Sequence, residues 1–353
     1  VLAQFARDGG NREQALNYQL YSFEFCWQAR MALQSAGRQL ALEVEERVKR
    51  AAGFFVVVQA ESDYWDYGDS DSAFVTPFFD KDPATEWRQW FAESNKSPAL
   101  QFWLGEAPQP KISAEKIASD WTLFPETGIA VNRTDDWFLR FDLSPLGYLS
   151  TAAHGHLDAL HLSIWFKDVA LIVDPGTGAY YADKELRSYL ASWNAHNPPH
   201  PGDLNFPKRL GPFLWSEHHA RPEWESEADA LIGSLKLPSA RLQRNIRKLQ
   251  NGWQVEDACH GGENFVVHWQ FAPGTALTRI GAHTFSAERK NIKITIELSA
   301  NWKIETEGAP THQIGTVSPS FRNVTSAPWL RLVASSQPGD TFYTLFTPPL
   351  KHG

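Results

Sequence analysis

Apolar residues recur every three to four positions along roughly the first hundred residues, a spacing typical of amphipathic helices. The repeats fall in three segments, which begin near Leu20, Val44 and Trp87. Gly37 is placed to end the first helix, and Asp82-Pro83 combines a capping residue with proline at the first helical position. The pattern therefore predicts two or three helices in this part of the chain.

From about Trp121 onward the period of the pattern changes to two. Short runs rich in β-branched and aromatic residues alternate with turns that contain Gly, Asn, Asp and Pro. In the run Leu160–Phe166, the even-numbered residues share one face and the odd-numbered residues share the other. The runs that indicate strands are Trp137–Phe141, Leu160–Phe166, Val169–Val173, Trp253–Val255, Phe265–Phe271, Ile292–Leu298 and Phe342–Phe346. So many short strands predict a large antiparallel β-sandwich.

This change of pattern divides the chain into two parts. We expect residues 1–107 to be the last helices of a larger helical domain and residues 118–353 to form the sandwich. Residues 108–117, with Pro108 and Pro110, are the best candidate for a linker. A chain of 353 residues is long enough for two such units.

Composition narrows the possible classes of function. The net charge of −8 argues against a general nucleic-acid-binding protein. The longest uncharged apolar run, Gly53–Ala60, is too short for a membrane span. The two cysteines, Cys26 and Cys259, lie far apart and predict buried free thiols. The 15 tryptophans mildly favour a carbohydrate ligand, because flat aromatic rings stack on sugar rings. The start at Val1, without a signal-peptide pattern, suggests that N-terminal residues have been removed.

Candidate chemistry is concentrated in the first part of the predicted sandwich. His154 and His156 are two positions apart and can point to the same side of an extended strand. Asp174 ends an apolar strand and His196 follows it, so a His/Asp/His set is available for a zinc-type metal. One histidine of the close pair would then be free for proton transfer. Two nearby residues compete for a ligand position: His161 and Asp158.

Three motifs contain these residues: HGHLDAL at 154–160, IVDPGTGAYY at 172–181 and NAHN at 194–197. Upstream, the segment 8–21 carries two tyrosines on a predicted helix, and the segment 67–71 is acidic. Together with Gly315–Ser320 and Ala327-Pro328, these segments resemble the heparinase II/III-like family of polysaccharide lyases. The resemblance runs through essentially the whole chain.

The resemblance implies a fold and a reaction. The fold would be the last helices of an incomplete (α/α) toroid followed by a large antiparallel β-sandwich. The reaction would be β-elimination at a uronic acid within an acidic polysaccharide, supported by a bound metal that is usually zinc. A periplasmic or secreted location in a bacterium is also implied.

By the same resemblance, His154 is the catalytic histidine and Tyr18 is the tyrosine that moves protons, with Tyr21 as the alternative one helical turn further on. The residues implied as metal ligands are His156, Asp174 and His196. The residues expected to bind the substrate are Glu13, Gln14, Tyr180 and Arg187.

Three positions depart from the family pattern. Asn197 is followed by two prolines, where the family commonly has threonine, and Gln19 stands where a histidine often follows the tyrosine. The Asn or Asn-His pair that grips the substrate carboxylate in the family lies well before the tyrosine. Its position would fall ahead of Val1, so we expect the group that neutralises the carboxylate to lie outside these 353 residues.

Two other classes of protein remain open. A sandwich of this kind could bind a polysaccharide, or support glycan assembly, with a purely structural metal and no cleavage. A glycoside hydrolase would need two carboxylates at a fixed separation, for which Asp158 and Glu13 are candidates that no sequence pattern pairs. In each case the expected partner is a polysaccharide or oligosaccharide rather than a nucleic acid.

Overall fold

A computed structural model describes residues 1–61, 63–76, 82–134, 136–261, 264–305, 314–335 and 340–349. Within these residues the α-helices are α1 (Leu16–Ser35), α2 (Leu42–Val58), α3 (Pro83–Ala92), α4 (Pro98–Leu104) and α5 (Lys184–Leu190). The first strands are β1 (Glu115–Lys116), β2 (Trp121–Phe124), β3 (Ile129–Arg133), β4 (Trp137–Asp142), β5 (Leu162–Phe166), β6 (Val169–Ile172) and β7 (His200–Pro201). The strands of the central part are β8 (Glu223–Ser226), β9 (Ala230–Lys236), β10 (Arg241–Leu249), β11 (Gly252–His260), β12 (Asn264–Gln270) and β13 (Ala276–Gly281). The last strands are β14 (Thr284–Arg289), β15 (Ile292–Leu298), β16 (Lys303–Glu305), β17 (Thr316–Ser320), β18 (Asn323–Ser326), β19 (Trp329–Ser335) and β20 (Phe342–Thr347).

The prediction of helices followed by antiparallel strands is confirmed, and two of the expected helix boundaries have the expected causes. Helix α1 ends at Ser35, and Gly37 follows two residues later with a φ of 69°, in the left-handed region that favours glycine. Helix α3 begins at Pro83 and is capped by Asp82, whose carboxylate accepts a hydrogen bond of 3.1 Å from the Thr85 N–H. The short helices α4 and α5 were not predicted.

The strands of the described residues pair antiparallel in four sheets. One has six strands in the order β1-β2-β3-β4-β5-β6, and a larger one has eight in the order β13-β14-β15-β20-β11-β10-β9-β8. The others have the orders β16-β19-β12-β7 and β17-β18.

The six-stranded sheet is the middle layer of the molecule, and its strands alternate as predicted. Leu162, Ile164 and Phe166 of β5 belong to the core shared with the eight- and four-stranded sheets. Trp165 faces the opposite way and belongs to the core shared with helices α1–α4. Because both faces are covered, β4 and β5 are buried along their whole length.

Buried hydrogen bonds join the helical layer to this sheet. The Asp8 carboxylate accepts from the N–H and the Oγ1 of Thr127, at 2.9 and 2.6 Å. Arg140 of β4 donates to the carbonyl oxygens of Trp65 and Asp66, at 2.6 and 2.9 Å. The Arg140 contacts fix the start of the acidic segment 67–71 against the strands of this sheet.

The predicted linker packs along α2, where the Lys111 N–H donates to the Lys49 carbonyl at 3.0 Å. Both cysteines are free thiols, as predicted, although only Cys259 is fully buried and Cys26 is half-buried. In the described part of the chain, no helix combines the length and apolarity needed to cross a membrane.

Candidate active site and metal centre

A cleft of about 430 Å³, open to solvent, lies between α1 and the loop that precedes β5. Its lining includes Tyr18 and Tyr21 from α1, His154 from the loop, and the carboxylates of Glu13 and Asp71. The structure thus brings the predicted catalytic tyrosine, its alternative and the predicted catalytic histidine into one cleft.

His154 is held from three sides. Its backbone N–H donates to the Phe213 carbonyl at 2.8 Å, and its Nδ1 lies 3.1 Å from an Asp69 carboxylate oxygen. The Tyr18 ring meets the imidazole edge to face, with 5.4 Å between ring centroids. Its side chain is 28% exposed, and Nε2 is the nitrogen available for proton transfer when Nδ1–H donates to Asp69. Tyr21 packs against Phe25 instead, so Tyr18 is the tyrosine in contact with His154.

Asp69 is the centre of the hydrogen-bond network behind the cleft. It is fully buried, and besides His154 it contacts His156 Nε2 at 2.8 Å and the Arg187 guanidinium at 2.5 Å. Burial alone would raise the pKa of the Asp69 carboxyl, but Arg187 and the two imidazoles outweigh burial and hold this pKa well below its usual range. Asp69 is therefore an anion that orients both histidines.

His156, Asp174 and His196 form a compact buried group in which one potential ligand atom from each lies within 4.8 Å of the others. Among the described residues, His156 Nδ1 and His196 Nε2 have no hydrogen-bond partner, and His196 Nε2 lies 3.5 Å from an Asp174 carboxylate oxygen. The opposite nitrogen of each ring is held, in His156 by Asp69 and in His196 by the Ser192 carbonyl at 2.8 Å. Ligating histidines are oriented in this way in metal sites.

The charge states of this group also fit a metal. Burial lowers the pKa of His156 to about 4, so its imidazole is neutral and can ligate. Burial opposes ionisation of Asp174, but His196 more than offsets burial and holds the pKa of the Asp174 carboxyl below its usual range. Two imidazoles and one carboxylate are a donor set that suits zinc.

The two competing ligands lie outside this group. His161 and Asp158 instead line a small pocket beside the group, which Asp142 and Asp174 line as well. Burial, reinforced by the charge of Asp142, raises the pKa of the Asp158 carboxyl well above its usual range. The group of three therefore fits a metal without either alternative.

The residues expected to bind the substrate have different positions. Glu13 lines the cleft, where its carboxylate accepts from Gln4 Nε2 at 3.0 Å. Gln14 and Arg187 are not among the described lining residues and are 5% and 1% exposed. The Arg187 guanidinium pairs with Asp69 and donates to the Pro212 carbonyl at 2.8 Å. The sequence predicts that Arg187 contacts the substrate. Its position does not favour direct contact, because its N–H donors are already engaged.

Tyr180 contacts Tyr18. The two hydroxyl groups share a hydrogen bond, and the Tyr180 ring packs against Phe213 and Phe321 with centroid distances of 4.7 and 4.9 Å. Burial, with the nearby charge of Asp69, raises the pKa of both tyrosines above the usual range. Tyr18 is therefore a neutral phenol, held by Tyr180 on one side and His154 on the other.

The sequence interpretation gave Asp69 no role of its own within the acidic segment 67–71, and it missed Phe213. Asp69 lies 85 positions before His154 in the chain, and the sequence marks it only as one member of an acidic segment. Phe213 lies in an irregular loop with no recognisable pattern around it.

Comparison with known proteins places this chain in a family. The heparan sulfate lyase HepC from Pedobacter heparinus has the same fold, with a TM-score of 0.69 and 14% identity over 98% of this chain and 53% of its own. A crystal structure of heparinase III matches with a TM-score of 0.70 and 12% identity over 98% of this chain and 55% of its own. At such identities the likeness concerns the fold, and this chain spans about half the length of these structures.

No curated protein sequence matches the chain. The model of the heparinase II/III-like C-terminal family matches residues 117–337, which is more than half of the chain. The chain therefore belongs to the heparinase II/III-like family.

Proposed function

We propose that this chain carries the catalytic cleft of a polysaccharide lyase, which cleaves a uronic-acid-containing acidic polysaccharide by β-elimination. Helices α1–α4 would be the last helices of an (α/α) toroid, and the enzyme would work in the periplasm or outside the cell. The observation that carries the proposal is the contact between Tyr18 and His154 in an open cleft, with 5.4 Å between their rings.

β-Elimination needs a base that takes the proton from C5 of the uronate and an acid that protonates the leaving O4. The C5–H electron pair forms the new C4–C5 double bond as the C4–O4 bond breaks. The raised pKa of Tyr18 keeps its phenol protonated, which suits it to donate the proton to O4. His154 Nε2 is the other proton-transferring atom in the cleft, and we assign it the C5 proton.

In this proposal, a zinc ion held by His156, Asp174 and His196 would cross-link the loops around His154. The reaction itself would be carried out by the side chains in the cleft. His156 connects the two, because its Nε2 shares Asp69 with His154 Nδ1.

The charges of the cleft bear on how the substrate is held. Among the described lining residues, the carboxylates are those of Glu13 and Asp71. Carboxylates accept hydrogen bonds from sugar hydroxyl groups but repel a uronate. We therefore assign Glu13 to hydroxyl recognition and place the neutralising group for the substrate carboxylate outside this lining.

The direct test is to incubate the full-length protein with heparan sulfate, chondroitin sulfate, hyaluronan and alginate, and to follow the ultraviolet absorbance of the C4–C5 double bond. We expect absorbance to rise with at least one substrate. The matched control is the same polysaccharide with its carboxyl groups reduced to alcohols, which removes the acidity of the C5 proton. New reducing ends without absorbance would indicate hydrolysis and overturn the proposal.

Tyr180→Phe tests the role of the second tyrosine. Removing its hydroxyl deletes the hydrogen bond to Tyr18, so we expect kcat to fall about tenfold with little change in KM. Initial rates of double-bond formation over a substrate series measure both constants. Tyr181→Phe is the control, because this adjacent side chain is 67% exposed. A raised KM at unchanged kcat would instead support the substrate-binding role predicted for Tyr180.

A further inference from the structure

Asn197, the residue directly after the ligand candidate His196, acts as a strand partner for the start of β5. Its Oδ1 accepts from the Leu162 N–H at 2.7 Å, and its Nδ2 donates to the Leu162 carbonyl at 2.9 Å. The side chain is fully buried, so these bonds are shielded from water. The backbone that carries His196 is thereby fixed to the six-stranded sheet.

Arg244 of β10, in the eight-stranded sheet, hydrogen-bonds the same asparagine from the other side. Its side chain has no exposed surface. The guanidinium donates to Asn197 Oδ1 at 2.5 Å and also to the Asn197 carbonyl. A further bond of 2.9 Å reaches the Leu160 carbonyl, four residues after His156. One side chain thus connects the segments that carry two of the three ligand candidates.

The charge of Arg244 is balanced within the eight-stranded sheet. Asp257 of β11 lies opposite Arg244 in the strand register, and its carboxylate accepts from the guanidinium at 2.8 and 3.1 Å. The guanidinium carbon lies 5.0 Å from the Trp269 ring centroid, so this ring covers another side of the guanidinium. With its charge paired and its stem buried, Arg244 has little freedom to move.

We propose that Arg244, held by Asp257, is a positioning residue for the metal centre. By fixing Asn197 and the Leu160 carbonyl, it keeps His196 and His156 at the separation that a metal requires. Replacing outer groups that orient metal ligands typically weakens metal binding by about 10- to 100-fold. The inference rests on the metal site of the proposed function but not on lyase activity, so it is tested by binding.

The experiment compares zinc binding by the full chain and its variants, through competition with a chromogenic chelator. Arg244→Lys keeps the positive charge beside Asp257, but a single ammonium cannot reproduce the planar fork that reaches Leu160 and Asn197. We expect this variant to bind zinc about 10- to 100-fold more weakly than the wild type. The zinc-induced rise in melting temperature should shrink in parallel, because it follows from the same affinity.

Arg247→Lys is the matched control. Arg247 lies on the same strand, but it pairs with Glu227 and Asp229 at the surface, and its side chain is 31% exposed. We expect its zinc affinity to equal that of the wild type. If Arg244→Lys fails to fold, Asn197→Ala replaces it, since that change removes the contact to Leu162 and leaves the pair of Arg244 with Asp257 intact.

The outcomes distinguish the positioning role of Arg244 from the existence of the metal site. A folded Arg244→Lys or Asn197→Ala variant that binds zinc as tightly as the wild type overturns the positioning role alone. A wild-type chain that binds no zinc overturns the metal site, and the role of Arg244 with it. The absorbance assay for lyase activity is independent of both results.

Discussion

His154→Ala is expected to lower turnover by about 10²- to 10⁴-fold, the range that a positioned acid or base typically contributes. The imidazole lies against Tyr18 in the cleft and is oriented by Asp69 through its Nδ1, so alanine removes a proton-transferring group without a substitute. The fold should be retained, because the side chain is partly exposed and Asp69 keeps its contacts with His156 and Arg187. Initial rates of double-bond formation measure the loss, and circular dichroism checks the fold.

His260→Ala is a suitable control for this variant, because His260 is an exposed histidine at the end of β11. Its turnover should match that of the wild type. If His154→Ala also kept wild-type turnover, the catalytic assignment would fail. A protein that binds polysaccharide without cleaving it would then be the better description.

Asp69→Asn is expected to lower the free energy of unfolding by about 3–5 kcal/mol, the usual cost of breaking a buried ion pair by removing one partner. Asparagine has nearly the same shape, but it leaves the Arg187 charge buried without a counter-ion. Turnover should fall as well, because His154 and His156 lose the anion that orients them. Urea denaturation followed by tryptophan fluorescence measures the stability change.

Asp71→Asn is the matched control for stability. This carboxylate lies two residues later in the same segment, is half-buried, and accepts a hydrogen bond from the Ala73 N–H at 3.1 Å. We expect its change in unfolding free energy to stay within about 1 kcal/mol. Equal stabilities of the Asp69 and Asp71 variants would show that the contact between Asp69 and Arg187 contributes little.

The sequence is sufficient to predict those features that depend on local periodicity. The helical repeats around Leu20 and Val44 and the alternation through Leu160–Phe166 each match an element of the structure. The ligand candidates His156, Asp174 and His196 are also accessible from sequence, since they lie within about 40 residues of one another in recognisable motifs. Their roles come from the family resemblance and remain predictions.

Contacts between distant segments are beyond what such periodicity can specify. Tyr18 and Tyr180 are 162 positions apart, and nothing in either local sequence indicates that their hydroxyl groups meet. Arg187 looks like one more basic residue on a short helix, and only the folded chain shows it buried against Asp69. The network behind the cleft is built from these long-range pairs, so the sequence can name several of its members but not the contacts between them.

The hydrogen bonds between the helical layer and the middle sheet have a consequence for how a polymer reaches the cleft. A hinge-like opening would break the bonds of Asp8 with Thr127 and those of Arg140 with the carbonyls of Trp65 and Asp66. Such charge-assisted bonds contribute about 1.5–3 kcal/mol each, so these walls resist separation. If the proposed function holds, we expect a polysaccharide to enter a cleft of constant width rather than one that closes over it by a hinge.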